Sequence, residues 1–166
     1  MDHAPNRALY DQDFYLWTQD QASRLRALAD EDRPAATTLD LDHLAEEVAD
    51  LGRSELNKVA MHLVQMLAHL LKHAWATQAR AHGHWIEEIL THQFQAQAAF
   101  SPGMRQHLET ERLWLKARKL AEAKLADHGE APLPAGVACP FTLDDLLAED
   151  FDITAARETC ARALAA

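Results

Sequence analysis

Apolar residues recur every three or four positions along most of the chain, which is the pattern of amphipathic α-helices. No segment alternates apolar and polar residues with the period of two that a half-buried strand requires. The pattern is broadest between Leu56 and Ala74, where apolar positions cover so wide a sector that the helix contacts more than one neighbour. The sequence therefore predicts an all-α protein with a long central helix.

Capping residues, glycines and prolines divide the first half of this pattern into two helices. The first is predicted to run from a cap at Asp11 to about Asp30, after a frayed leader at residues 1–10. The second begins at one of three polar residues, Thr37, Thr38 or Asp40, and continues past Gly52 with the stripe Leu44, Val48 and Leu51 buried before it. A bend or break is expected at Gly52, because glycine costs about 1 kcal/mol relative to alanine inside a helix.

The second half is predicted to hold two more long helices and a short one. After a turn at Thr77–Gly83, a third helix is marked by Trp85, Ile86, Ile89, Leu90 and Phe100. Ser101 and Pro102 start a fourth helix that runs to about Asp127, with Gly129 as its stop. A Pro-rich connection then leads to a capping box at Thr142–Asp145, a short helix, and a weakly helical tail over residues 153–166.

Four helices joined by short connections favour antiparallel neighbours. The predicted fold is an up-and-down four-helix bundle with a long central helix and a short C-terminal helix. No internal repeat is visible, so residues 1–166 are expected to form a single helical domain.

Charge excludes some classes of partner. The formal net charge is -10, and residues 1–50 hold twelve acidic against four basic side chains, so nucleic-acid binding is not expected. The longest apolar stretch is interrupted by histidines and a lysine, which excludes a membrane span. Two cysteines without a Cys-x-x-Cys spacing and no visible signal peptide favour a reducing cytoplasm.

Several segments of the chain match, in the same order, segments of a known protein family. They are Tyr10–Phe14 with Trp17, Leu41–Glu55, Leu67–Lys72, Trp85 with Ile89, and Cys139–Phe151. Together they resemble the bacterial domain-of-unknown-function family 29, and Leu-Ala-Glu-Glu-Val…Leu-Gly-Arg-Ser-Glu within Leu41–Glu55 is the most specific part. The resemblance covers residues 10–151 and leaves 152–166 as a C-terminal extension. It implies an all-helical bacterial protein with no assigned reaction.

Ten histidines are the conspicuous chemical resource of the chain. His69 and His73 lie four residues apart on the second helix, within reach of one metal ion. If the chain reverses near residue 81, Glu88 and His92 of the third helix come to the same height. These four residues make a candidate zinc or nickel site. Because all four lie to the side of their helices' apolar stripes, histidines with a structural role or facing water, without a metal ion, are the competing interpretation.

Other reactive groups favour no enzyme class. Glu46 and Glu47 are adjacent on a helix and point about 100° apart, so they do not form one acid–base dyad. They are expected to be exposed, or paired with Arg53 or a basic residue of the fourth helix. Cys139 has only His128 near it in sequence, which argues against a nucleophile. No phosphate-binding glycine loop is present.

Two interpretations of function remain open. The favoured one is a non-catalytic bundle, without cofactor, that acts through protein contacts and forms a homo-oligomer. Its basis is that the fourth helix has two apolar stripes, Met104, Leu108 and Leu115 on one side and Leu113, Ala117 and Leu120 on another. The alternative is a metal-binding protein or metal-dependent enzyme that uses the histidines.

Overall fold

The computed structural model describes residues 4–30, 39–77 and 82–166, and every regular element in these ranges is helical. The helices are α1 (Ala4–Gln12), α2 (Phe14–Asp30), α3 (Leu41–Trp75), α4 (His82–Ala99), a 3₁₀ helix (Pro102–His107), α5 (Thr110–Asp127), α6 (Leu143–Leu147) and α7 (Ile153–Ala165). The all-α class and the long helix are confirmed. The predicted helix starts at Thr37 and Thr38, and most of the predicted turn at Thr77–Gly83, lie outside the described residues.

The chain divides into two compact units, and α3 contributes to both. The first unit comprises residues 1–58 and 100–107, and the second comprises residues 59–99 and 108–166. The prediction of a single domain concerns the relation between these units and stays a prediction. None of the described helices is long and apolar enough to cross a membrane.

In the first unit, the predicted frayed leader and the cap at Asp11 are wrong. Residues 4–12 form α1, and Asp13 separates it from α2. Asp13 is buried; its Oδ1 accepts a hydrogen bond from the Leu16 backbone N–H at 3.0 Å, and its Oδ2 accepts one from the Gly103 N–H at 2.6 Å. Asp13 therefore caps α2 and also holds the chain at Gly103.

The bend predicted at Gly52 is also wrong, since α3 runs without interruption over 35 residues. Gly52 serves close packing instead. A Cβ at this position would collide with the side chain of Thr18 on α2, which is fully buried and donates a hydrogen bond to the Tyr15 carbonyl at 2.7 Å. The glycine lets α2 and α3 approach each other.

Close packing also explains why the stripe predicted before Gly52 is wrong. Leu44 is 41% exposed and Leu51 is 47% exposed. The buried positions of this part of α3 are mostly small: Leu41, Ala45, Ala49 and Gly52. From hydrophobicity alone, leucine is expected at the buried positions, but the narrow space between the helices accommodates only small side chains.

In the second unit, the predicted core of α3 is confirmed. Six apolar residues of this part of α3 are completely buried: Val59, Leu63, Met66, Leu67, Leu70 and Leu71. From α4, Trp85, Ile89 and Ala96 are buried. This core fixes the rotation of α3 and α4 and so determines which residues line their flank.

The predicted fourth helix is interrupted. Pro102–His107 forms a 3₁₀ helix, and the α-helical segment α5 begins only at Thr110. Its predicted end is confirmed: Gly129 has φ +69°, and the Glu130 N–H donates to the Leu125 carbonyl at 3.0 Å. Glycine suits this left-handed position after a helix.

The capping box before the short helix is confirmed, because the Thr142 hydroxyl accepts from the Asp145 N–H and the Asp145 carboxylate accepts from the Thr142 N–H. The tail forms a complete helix, α7, which begins after the capping residue Asp152. Its buried residues Ala156, Cys160 and Leu164 recur at four-residue steps, so the C-terminal extension packs as part of the second unit.

Candidate metal centre

The flanks of α3 and α4 within the second unit bring together four histidines and one glutamate. His62 and His69 lie seven residues apart on α3, and His84, Glu88 and His92 lie four residues apart on α4, so each set shares one side of its helix. His62 contacts His92, whereas His69 lies near Glu88 and His84. The two helical segments are therefore antiparallel here.

His69, Glu88 and His92 form the tightest group. One ligand atom from each lies within 4.8 Å of the other two, and all three side chains are half-buried. Glu88 Oε2 lies 3.6 Å from His92 Nε2. In a tetrahedral zinc site with bonds of about 2.0–2.1 Å, ligand atoms lie roughly 3.4 Å apart, so small side-chain rotations suffice to enclose an ion.

Both histidines of this group are neutral at pH 7. Burial, with the charge of Lys72 and the rings of His92 and His84, lowers the pKa of His69 to about 4. Burial and His62 lower the pKa of His92, while Glu88 opposes the shift. Neutral imidazoles need not lose a proton before they coordinate a metal ion.

His69 also carries a buried nitrogen, Nδ1, that has no hydrogen-bond partner among the described residues. A buried polar atom without a partner is costly and is a feature of sites that bind something. The neutral ring is thus suited to act as a ligand.

His62, which sequence reasoning excluded as too distant from His69, belongs to the same row. Its Nδ1 lies 3.0 Å from His92 Nδ1. Since His92 Nε2 faces Glu88, this contact occupies the other ring nitrogen of His92. Metal-binding histidines characteristically use their second nitrogen for such a hydrogen bond. The axial separation of His62 and His69 was the wrong criterion for excluding His62, because His92 of α4 lies between the two and contacts His62.

Two further side chains adjoin the group. His84 Nε2 lies 3.7 Å from Glu88 Oε1, and the His84 side chain is 66% exposed. Lys72, one turn from His69, is only 9% exposed, and its Nζ lies 5.7 Å from the centre of the Trp85 ring. The spacing His84-x₃-Glu88-x₃-His92 was the available sequence signal for His84.

The fourth residue of the predicted site lies apart from this group. His73 is buried at 7% exposure, and its backbone carbonyl accepts a hydrogen bond from Arg157 Nε at 3.3 Å. The tight group thus contains His69, Glu88 and His92 without His73. His73 is buried and His69 and His92 are half-buried, so none of the three is a fully exposed histidine.

The other reactive groups occupy structural positions. Glu46 and Glu47 are exposed, and Arg53 pairs with Asp50. Burial raises the pKa of the Cys139 thiol and raises that of Cys160 to about 12, which leaves both thiols protonated and poorly nucleophilic.

Comparison with known proteins agrees with the fold and adds no activity. The family model described as Domain of unknown function DUF29 matches residues 9–152. The chain is similar to an alpha-helical protein of unknown function from Rhodospirillum rubrum, with 34% identity, a TM-score of 0.83, and coverage of 92% of this chain and 96% of that one. No curated protein matches the chain.

Proposed function

Since the chain belongs to the family described as Domain of unknown function DUF29, whose description assigns no activity, we propose a function from the site itself. The protein binds a divalent transition-metal ion, such as zinc or nickel, through His69, Glu88 and His92. The observation that carries this proposal is the convergence of three ligand atoms from two helices within 4.8 Å. Two imidazoles and one carboxylate are a ligand set that zinc uses with a fourth position left open.

The electrostatics of the group support a cation as its occupant. The group combines the carboxylate of Glu88 with the imidazoles of His69 and His92, whose pKa values are lowered by burial, so an ion meets one negative charge and two lone pairs. The nearby ammonium of Lys72 opposes the ion, which makes moderate affinity the expectation.

Metal titration of the full chain, expressed without a histidine tag and stripped with chelator, tests this proposal. Calorimetry with Zn²⁺ should give one ion per chain, and Co²⁺ should develop visible absorption bands. His69→Ala and Glu88→Gln should abolish stoichiometric binding while circular dichroism shows the helices intact. His43→Ala is the matched control, because His43 is exposed and pairs with Asp40 in the first unit. Absence of stoichiometric binding to the unmodified protein would overturn the proposal.

Self-association is a second proposal, favoured by apolar side chains that remain exposed. On α5, Leu115 is 54% exposed and Leu120 is 41% exposed, next to the exposed Lys116 and Lys119. The partner that fits this basic and apolar face is the acidic first 50 residues of a second copy. In this segment Leu44 is exposed on α3, as is the adjoining Leu51, with the exposed Glu47 on the same side.

Sedimentation equilibrium from low to high micromolar concentration tests self-association. A concentration-dependent dimer that weakens with added salt is the expected result, because part of the contact is between opposite charges. A monomer throughout this range would overturn the proposal and would leave the metal proposal untouched.

A further inference from the structure

Lys72 has a nearly buried side chain and an ammonium without a fixed counter-ion. It is 9% exposed, and its Nζ lies 5.7 Å from the centre of the Trp85 ring. No hydrogen bond or ion pair holds Nζ within the described part of the chain. A lysine with so much of its side chain buried and no bonded counter-ion attracts a negative group.

The titratable groups that face Lys72 are Glu88, Lys124 and His69. Burial and Lys124 lower the pKa of Lys72, and Glu88 raises it. The carboxylate of Glu88 is therefore the one attractive charge for this ammonium, and it is also a ligand of the proposed metal ion. A divalent ion on Glu88 outweighs that carboxylate, and Lys72 then faces net positive charge.

From this arrangement we infer that the open coordination position of the metal ion takes a small oxyanion, a carboxylate or a phosphate, with Lys72 as its second anchor. The inference rests on the proposed function, because the metal ion is the first anchor. Three protein ligands leave a tetrahedral ion one position for water or an exogenous ligand. An anion in that position offsets positive charge on both the ion and the ammonium, which a water molecule does not do.

His84 is the competing fourth ligand. Its Nε2 is 3.7 Å from Glu88 Oε1, and its exposed side chain is free to turn toward the ion. A site closed by His84 has no place for an anion, so the two arrangements give opposite results with exogenous anions.

The experiment uses the full chain loaded with Co²⁺, whose visible spectrum responds to a change of ligand. Sodium acetate and inorganic phosphate are titrated separately, so that the carboxylate and the phosphate are distinguished. A saturable spectral change with either anion is expected. Lys72→Gln should weaken anion binding at least about tenfold while it leaves Co²⁺ affinity unchanged or increased, since one positive charge is removed. Lys72→Arg should restore anion binding.

Lys58→Gln is the matched control, because Lys58 is an exposed lysine on α3 that pairs with Glu55. Stoichiometric Co²⁺ with no spectral response to either anion would overturn the inference and leave the metal site standing. So would equal anion affinity in Lys72→Gln and the unmodified protein, or a response that appears only in His84→Gln. Failure to bind Co²⁺ would instead overturn the proposed function. Circular dichroism of each variant separates loss of the anchor from loss of fold.

Discussion

At the scale of single residues, the contact between His62 and His92 determines how His92 presents itself to a metal ion. Coordination through His92 Nε2 requires the proton of the neutral ring to reside on Nδ1, and His62 Nδ1, 3.0 Å away, is placed to accept a hydrogen bond from it. His62→Ala should therefore lower zinc affinity about 10- to 100-fold while one ion still binds per chain, as expected for loss of a positioning residue. Calorimetry measures both quantities, and unchanged affinity would contradict this role.

The lowered pKa of His69 predicts how the metal-free protein responds to acid. The folded pKa, about 4, lies below the ordinary value of 6.5, so protonation favours the unfolded chain. Stability from this group is complete above about pH 6.5 and is lost as the pH falls toward 4, by roughly 1 to 3 kcal/mol. Urea unfolding in chelator at pH 7.5, 6, 5 and 4 measures this loss.

His69→Gln, which does not titrate, is the control for this pH dependence. The free energy of unfolding of this variant should fall less than that of the unmodified protein over the same range. Parallel pH profiles for the two proteins would assign the acid sensitivity to other groups, such as His92, whose pKa is also lowered by burial.

At the scale of helices, Gly52 shows that packing between elements overrides local preference. Alanine is favoured over glycine inside a helix by about 1 kcal/mol. A methyl group here would meet Thr18, which cannot swing away because it is fully buried and bonded to the Tyr15 carbonyl. Gly52→Ala should therefore destabilise the protein by about 1–3 kcal/mol in urea unfolding.

The double variant Thr18→Ala with Gly52→Ala isolates the cause. In the Thr18→Ala background the collision is removed, so Gly52→Ala should become neutral or stabilising. A stabilising Gly52→Ala in the unmodified protein would show that α2 and α3 have room between them.

Comparison of the predicted helices with the observed ones shows which features the sequence determines. Three- and four-residue periodicity correctly located the core of α3 around Leu63 and Leu70, because burial there follows hydrophobicity. It failed at Leu44 and Leu51, because the interhelical space selects the smaller Ala45 and Ala49. Capping failed at Asp11 for a related reason: Asp13 is held by a second hydrogen bond from Gly103, a contact that the local sequence does not contain.

At the scale of the whole molecule, the sequence predicted the all-helical class and the family, but it predicted only some of the residues of the candidate site. Spacing along each helix selected His69, Glu88 and His92, which the fold brings together. It also selected His73, because residues four apart share a side, but the rotation of α3 set by its core places His73 apart from this group. The spacing also places His62 and Lys72 near the side of α3 that carries His69, but only the antiparallel α4 brings His92 against His62 and Trp85 against Lys72.

The exposed fractions of two leucines on α5 predict opposite effects for their substitution, which the sequence alone did not. Leu113 is 5% exposed and Leu115 is 54% exposed, so they lie on opposite sides of the helix. Leu113→Glu should unfold the chain, because it buries a charge in the core. Leu115→Glu should leave the fold intact and give a monomer, because it places a negative charge in the proposed contact with an acidic second copy.

Charge exchange tests the same contact without any apolar substitution. Lys119→Glu and Glu47→Lys each place like charges together across the proposed contact and should each weaken the dimer. Combined in one chain, the two changes restore opposite charges and should restore association, which sedimentation equilibrium measures. Arg162→Glu, an exposed position of α7 outside both helices of the proposed contact, controls for the change in net charge alone. If the double variant associates as weakly as the single variants, α5 does not meet α3 of a second copy, and the exposed leucines are not an interface between these two helices.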